Sequence, residues 1–182
     1  MASLPGMGRK RFGAMECGIA QALEALGDWW TLLILRDAFL GVRRFGDFEA
    51  SLGIAKNVLA SRLRHLVGHG ILERVDVGRD GTRFEYVLTP KGEALLPVLT
   101  TLREWSDRWI FGPGNEPVIV RERRSGRRVP RLEVTGADGR PLGRRDLRTE
   151  PGPGASAETL RRFARGARAH EASRRTRAAP RR

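Results

Sequence analysis

The sequence predicts a mainly α fold carrying one β-hairpin, α+β in class, on three observations. Apolar residues recur at helical spacing through most of residues 17–109. Two β-rich runs, Ile71 to Val77 and Thr82 to Thr89, follow one another with four residues between them. The residues between them, Gly78-Arg79-Asp80-Gly81, supply the turn of a hairpin.

Ile19, Leu23 and Leu26 stand at i, i+4 and i+7 and predict one apolar stripe on a helix from about Cys17 to Leu26, ended by Gly27. Asp28 has the chemistry of a cap for a second helix, Trp29 to Leu40, which is apolar nearly all round and is expected at the centre of the fold; Gly41 stops it. Phe45, Phe48 and Leu52 mark a short third helix, and Gly53 makes a turn. Ile54, Val58, Leu59, Leu63 and Leu66 then give the buried stripe of a fourth helix ending at Gly68 to Gly70. Two helices joined by so short a turn form a helix-turn-helix, and a hairpin directly after one is a wing.

Thr89-Pro90 opens a last helix through Leu95, Val98, Leu99, Leu102, Trp105 and Trp109, with a bend expected at Pro97. At about 20 residues it would be roughly 30 Å long. Such a helix at the end of a small domain has little of its own chain to pack against, so a second subunit is the expected partner, with Leu95, Leu99, Leu102, Trp105 and Trp109 as the dimer interface. Trp29, Trp30, Trp105, Trp109 and Phe111 also have the character of a ligand cavity, although plain core and interface packing is the preferred reading of them.

The 182 residues carry 34 Lys plus Arg against 21 Asp plus Glu, a formal charge of +13 that points to a polyanion. Only Lys10, Lys56 and Lys91 are lysines, so arginine abundance is itself weak support. The charge is unevenly placed. Residues 1–11 hold 3 bases and no acid, residues 12–111 hold 12 bases and 13 acids, and residues 112–182 hold 19 and 8. The folded core is therefore near neutral and its flanks supply the excess. Four segments follow: a flexible basic arm at 1–14, the winged helix-turn-helix and dimerisation domain at 15–111, a small β-rich appendage at 112–150, and an Arg-rich tail at 151–182 expected to be mostly disordered. Within the tail a short helix from Ala157 to Ala169 is allowed by propensity.

Several function classes fall away. A single cysteine, Cys17, excludes an intrachain disulfide and a Cys-based zinc finger and suits a reducing compartment, so a cytoplasmic protein is expected. The longest apolar stretch, Trp29 to Leu35, is too short for a bilayer, and the start of the chain lacks the apolar core of a secretory signal. His65 and His69 have chelating spacing but no third ligand nearby in sequence, so neither metal nor cofactor is expected. No nucleophile, base or phosphate-cradling loop can be assembled, which leaves an enzyme reading without named parts.

A set of ordered motifs resembles one family. Cys17 with Ala22-Leu23, Gly27-Asp28-Trp29-Trp30-Thr31-Leu32-Leu33-Ile34-Leu35-Arg36, Arg44-Phe45-Gly46-Asp47-Phe48, Val58-Leu59, Arg62-Leu63, Leu66, Gly70-Ile71-Leu72 and Glu85-Tyr86-Val87-Leu88-Thr89-Pro90-Lys91-Gly92 are similar in order and spacing to the HxlR family of bacterial winged-helix transcriptional regulators, related to the MarR group. The resemblance covers about residues 15–111. It implies a homodimer on double-stranded DNA, at a pseudo-palindromic operator.

On the fourth helix, removing the buried stripe leaves Lys56, Asn57, Ala60, Ser61 and Arg64 as the face for the major groove. Asn pairs bidentately with adenine, Lys or Arg with guanine, and alanine meets a thymine methyl. Arg62 lies on the flank of the stripe, where an ion pair with Asp47 or Glu49 competes with a phosphate contact. Arg79 and Arg83 on the wing are expected near the minor groove or its phosphates, and Arg43 and Arg44 precede the helix that crosses the backbone in this motif. Cys17 begins the first helix, where free N–H groups can favour a thiolate. A small buried hydrophobe is the plainer role for it; the resemblance implies a possible oxidant or electrophile sensor, acting through a cross-subunit disulfide or a mixed thiol cap.

Residues 118–142 resemble the zinc-ribbon appendage of some family members, but Ser125, Thr135 and Asp138 stand at the cysteine-like positions, so a metal-free ribbon remnant is expected. The rival reading is a winged-helix protein-interaction module whose basic tail binds nucleic acid without sequence preference.

Overall fold

The computed structural model describes residues 15–78 and 83–178. The elements are α1 (Gly18–Leu26), α2 (Trp29–Phe39), α3 (Phe45–Leu52), α4 (Lys56–Gly68), β1 (Leu72–Asp76), β2 (Phe84–Leu88), α5 (Pro90–Glu93), α6 (Leu96–Ser106) and α7 (Ala157–Ala178). A π-helical turn, Asp107–Phe111, extends α6, and a 3₁₀ turn covers Arg144–Asp146. The chain divides into a unit spanning Ala22–Glu133 and a second unit built from the stretches on either side of it.

In the larger unit Asp28 is extended and accepts a hydrogen bond from the Trp30 N–H at 3.1 Å, which starts α2 as its chemistry predicts. Gly53, at φ +59°, closes α3 with a left-handed residue that a side chain would strain. Leu59, Leu63 and Leu66 of α4 are completely buried and pack with Ile34, Leu35, Phe48, Ile71 and Leu72 as one core. β1 and β2 pair antiparallel in the register Leu72 with Leu88 through Asp76 with Phe84, and Val77 donates to the Arg83 carbonyl at 2.8 Å to continue the ladder outward.

Three expectations are corrected. Trp29 and Leu40 are each 74% exposed, because α2 buries only the face carrying Thr31, Ile34, Leu35 and Asp37. Of the α1 stripe only Leu26 is buried, while Ile19 and Leu23 stay open to solvent. The helix from Pro90 does not run unbroken with a bend: it divides at Ala94 and Leu95 into α5 and α6. Pro97 has no N–H to return to Glu93, so the hydrogen-bond ladder fails one turn before the proline.

The end of α4 is fastened to the start of α5. Thr89 Oγ1 donates to the Gly70 carbonyl at 2.6 Å, Lys91 Nζ to the His69 carbonyl at 2.7 Å, and the Thr89 N–H to the Ile71 carbonyl at 3.2 Å. Gly92 is buried there, and a Cβ at that position would stand 2.2 Å from the Ile71 oxygen.

Past α6, a single bridge between Arg121 and Arg128 closes a knuckle-like turn. Leu132 donates its N–H to Glu104 of α6 at 3.2 Å, and Arg103 donates to the Val118 carbonyl at 3.0 Å, which hold this turn to α6 within the larger unit.

In the second unit, a bridge between Thr135 and Pro141 closes another such turn. The tail contains the helix that propensity allows at 157–169, extended as α7 to Ala178. Its first turn docks through polar contacts: Glu16 accepts from the Ser156 N–H at 3.2 Å and from Thr159 Oγ1 at 3.1 Å.

Candidate nucleic-acid interface

Helix α4 presents the expected polar face. Lys56, Asn57, Ser61 and Arg64 are all exposed, while Ala60 is half-buried. Asn57 Oδ1 accepts from the Val58 N–H at 2.9 Å. Lys56 stands 3.9 Å from Glu49 of α3, whereas Arg64 has no ion pair among the described residues.

The other bases of the face are more occupied. Arg62 pairs at 2.6 Å with Asp28, not with Asp47 or Glu49, so the sequence neighbours are the wrong acids. The reason is rotational: Arg62 flanks the buried stripe and points toward the start of α2. Arg43 and Arg44 lie 3.8 and 3.5 Å from Glu85 of β2, and the Arg43 carbonyl accepts the Tyr86 N–H at 2.8 Å, which ties the approach to α3 onto the wing. Arg83 is exposed. The expectation for Arg79 falls outside the described residues.

Sequence reasoning missed Glu85, the acid shared by Arg43 and Arg44, and missed Arg74, whose guanidinium lies 3.5 Å over the Phe84 ring. The signal for Arg74 was available in the register: it opposes Tyr86, two residues from Phe84 on the same face of the hairpin.

The proposed partner-facing residues divide. Leu95 and Leu99 pack against the core, while Leu102, Trp105 and Trp109 are exposed together with Leu96, Val98 and Ile110. Between α2 and α6 lies an apolar groove of about 460 Å³ with Leu33, Phe39, Leu99 and Phe111 in its walls.

Cys17 is half-buried immediately before α1. Its thiol is held below the ordinary range by the backbone N–H of Ala20 and then of Ile19, with the Arg162 guanidinium adding to them against the opposing effect of burial. His65 and His69 are engaged with the backbone carbonyls of Ala25 and His65 at 2.9 and 3.0 Å. No group of three metal-ligating side chains occurs among the described residues. At two of the cysteine-like positions oxygen does local work: Ser125 Oγ donates to Glu122 and accepts the Arg127 N–H at 3.2 Å, and Asp138 Oδ1 accepts the Arg140 N–H at 3.1 Å.

A helix-turn-helix with a fully buried inner stripe, an open polar outer face and an antiparallel hairpin directly after it defines a winged-helix DNA-binding domain. Residues 25–112 match the HxlR-like helix-turn-helix family. An uncharacterised HTH-type transcriptional regulator of Mycobacterium tuberculosis, Rv3095, is 42% identical over 141 residues, 77% of this chain and 89% of the relative. The Bacillus subtilis HTH-type regulator YvaP is 35% identical over 91 residues, 50% of this chain and 84% of its own. The crystal structure of PA1607, described as a candidate transcription factor, superposes with a TM-score of 0.70 at 46% identity, covering 76% of this chain and 97% of that one. PA1374 of Pseudomonas aeruginosa gives 0.57 at 41% identity, covering 80% and 99%. The chain belongs to the HxlR-like family of helix-turn-helix transcriptional regulators. No helix among the described residues is long and apolar enough to cross a membrane.

Proposed function

We propose that the protein is a cytoplasmic, homodimeric transcriptional repressor that recognises a pseudo-palindromic operator, with α4 in the major groove and the wing at the flanking minor groove. The observation that carries this reading is the division of α4: Leu59, Leu63 and Leu66 are completely buried, while Asn57, Ser61 and Arg64 stand open on the opposite face. Only the second set is free to meet base edges, and those side-chain types are the ones that read them. Lys56 joins this face, and Arg43, Arg44, Arg79 and Arg83 belong to the elements that this docking brings near phosphates. The exposed Leu102, Trp105 and Trp109 support a second copy as partner, since a monomer rarely leaves so much apolar surface open. Cys17, with its lowered thiol, is the candidate point at which an oxidant effector would act.

Sequence selection from random duplexes followed by footprinting tests the reading. The expected result is two protected half-sites one DNA turn apart, roughly 34 to 36 Å. Protection without base preference, abolished by removing residues 151–182, would instead support the interaction-module reading.

A further inference from the structure

We infer that α7 is a second, sequence-independent grip on DNA, in which Arg161, Arg165 and Arg168 bind the phosphate backbone. The inference rests on the reading of the chain as a DNA-binding regulator and adds a contact outside the winged helix.

The helix has two unlike sides. Thr159 is 9% exposed and bonded to Glu16, Arg162 donates to the Glu16 carbonyl at 3.3 Å, and Phe163 is half-buried, so this side faces its own unit. Arg161, Arg165 and Arg168 follow at i, i+4 and i+7, which at about 3.6 residues per turn places them in one stripe on the other side. All three are exposed, and none forms an ion pair among the described residues. Glu158, one turn earlier, is likewise in no such pair. Arg168 donates Nε to the Ala164 carbonyl at 3.4 Å, which leaves the rest of its guanidinium free. The contrast with the winged helix is direct: Arg43, Arg44, Lys56 and Arg62 each stand within 4 Å of a carboxylate, so their charge is already partly met.

The stripe fits a regular polyanion. Its seven-residue span is about 10 Å along the axis. That is the axial reach of about three phosphates on one strand of duplex. A bilayer surface is the poorer partner, because a membrane-binding helix needs a broad exposed apolar face. Here the large apolar residues of the first turns are Leu160 and Phe163, and Phe163 lies on the docked side.

The test uses the full-length chain with Arg161→Gln, Arg165→Gln and Arg168→Gln combined, which leaves the Glu16 contacts in place. Affinity is measured against salt for a random duplex and for a duplex selected by the wild type. Losing three phosphate contacts should flatten the salt slope by about 2.7 per bound protomer, so that each protomer of the wild type contributes a loss of roughly 40-fold more affinity than one of the variant between 50 and 200 mM salt. The preference for the selected duplex should be unchanged, and the corresponding triple Arg→Lys variant should keep the wild-type slope. An unchanged slope at unchanged helicity overturns the inference, as does a lost base preference. Loss of binding to phosphatidylserine vesicles with the DNA slope intact would assign the stripe to a membrane and overturn it too. A wild-type chain that binds no duplex would instead bring down the regulator reading, and this inference with it.

Discussion

Asp28 and Arg62 meet at 2.6 Å, and the same carboxylate that pairs with α4 also caps α2, one oxygen receiving the Trp30 N–H and the other the guanidinium. One side chain thus caps α2 and ties it to the helix that is proposed to read DNA. The two roles separate by substitution. Asp28→Ala removes both and should destabilise the chain by about 2 kcal/mol. Asp28→Asn keeps an acceptor for the cap and should cost about 1 kcal/mol or less. Urea unfolding of the two variants checks this, and equal losses would show that the cap contributes nothing.

Arg64 and Arg83 should fail differently. Arg64→Ala should weaken binding to the selected operator by about 1–3 kcal/mol and relax preference at one base position. Arg83→Ala should weaken all duplexes alike and reduce the salt slope by about 1. Titrations over a range of salt on operator and random duplexes distinguish them.

Gly92→Ala tests packing at the foot of the wing. The added methyl would meet the Ile71 carbonyl at 2.2 Å and the Leu88 side chain at 3.0 Å, so backbone must move. A loss of about 1–3 kcal/mol is expected from overpacking of this kind. A thermal midpoint equal to wild type would mean that the junction yields freely.

Trp105→Glu should convert the proposed dimer to monomer, because the residue is 57% exposed on the single chain and would place a charge inside that interface. Sedimentation measures the change. A wild-type chain that sediments as a monomer would remove the interface assignment altogether.

Cys17 should alkylate with a pH midpoint below that of the urea-unfolded chain, since backbone N–H groups of Ala20 and Ile19 favour its thiolate in the fold. A lowered thiol stabilises the fold fully above the unfolded value and loses that contribution as pH falls through the folded value. Coincident midpoints in the folded and unfolded chain would contradict the arrangement.

Much of the core is legible because its signals are local. Asp28 at a cap, Gly53 at a turn and the Leu59, Leu63 and Leu66 stripe all announce themselves within a few residues. Periodicity shows that Ile19 and Leu23 share an apolar face with Leu26, but it cannot show whether the same chain covers that face, and only Leu26 is buried. Charge pairing is harder still. Several acids lie within reach of Arg62 in sequence, and its partner is set by the crossing of α4 on α2. Glu16 holds Ser156 across 140 positions, a relation that no composition count of the tail contains.

The fastening of Thr89 and Lys91 onto the Gly70 and His69 carbonyls, just past α4, has a mechanical consequence. With the residues just past α4 bonded directly to the start of α5, we propose that the junction works as a crank. In the proposed dimer, a swivel of one protomer against its partner would turn both recognition helices and alter the distance between them. The operator would then act as a gauge of the angle between subunits, and a signal that changes that angle could release DNA without touching a residue that contacts a base.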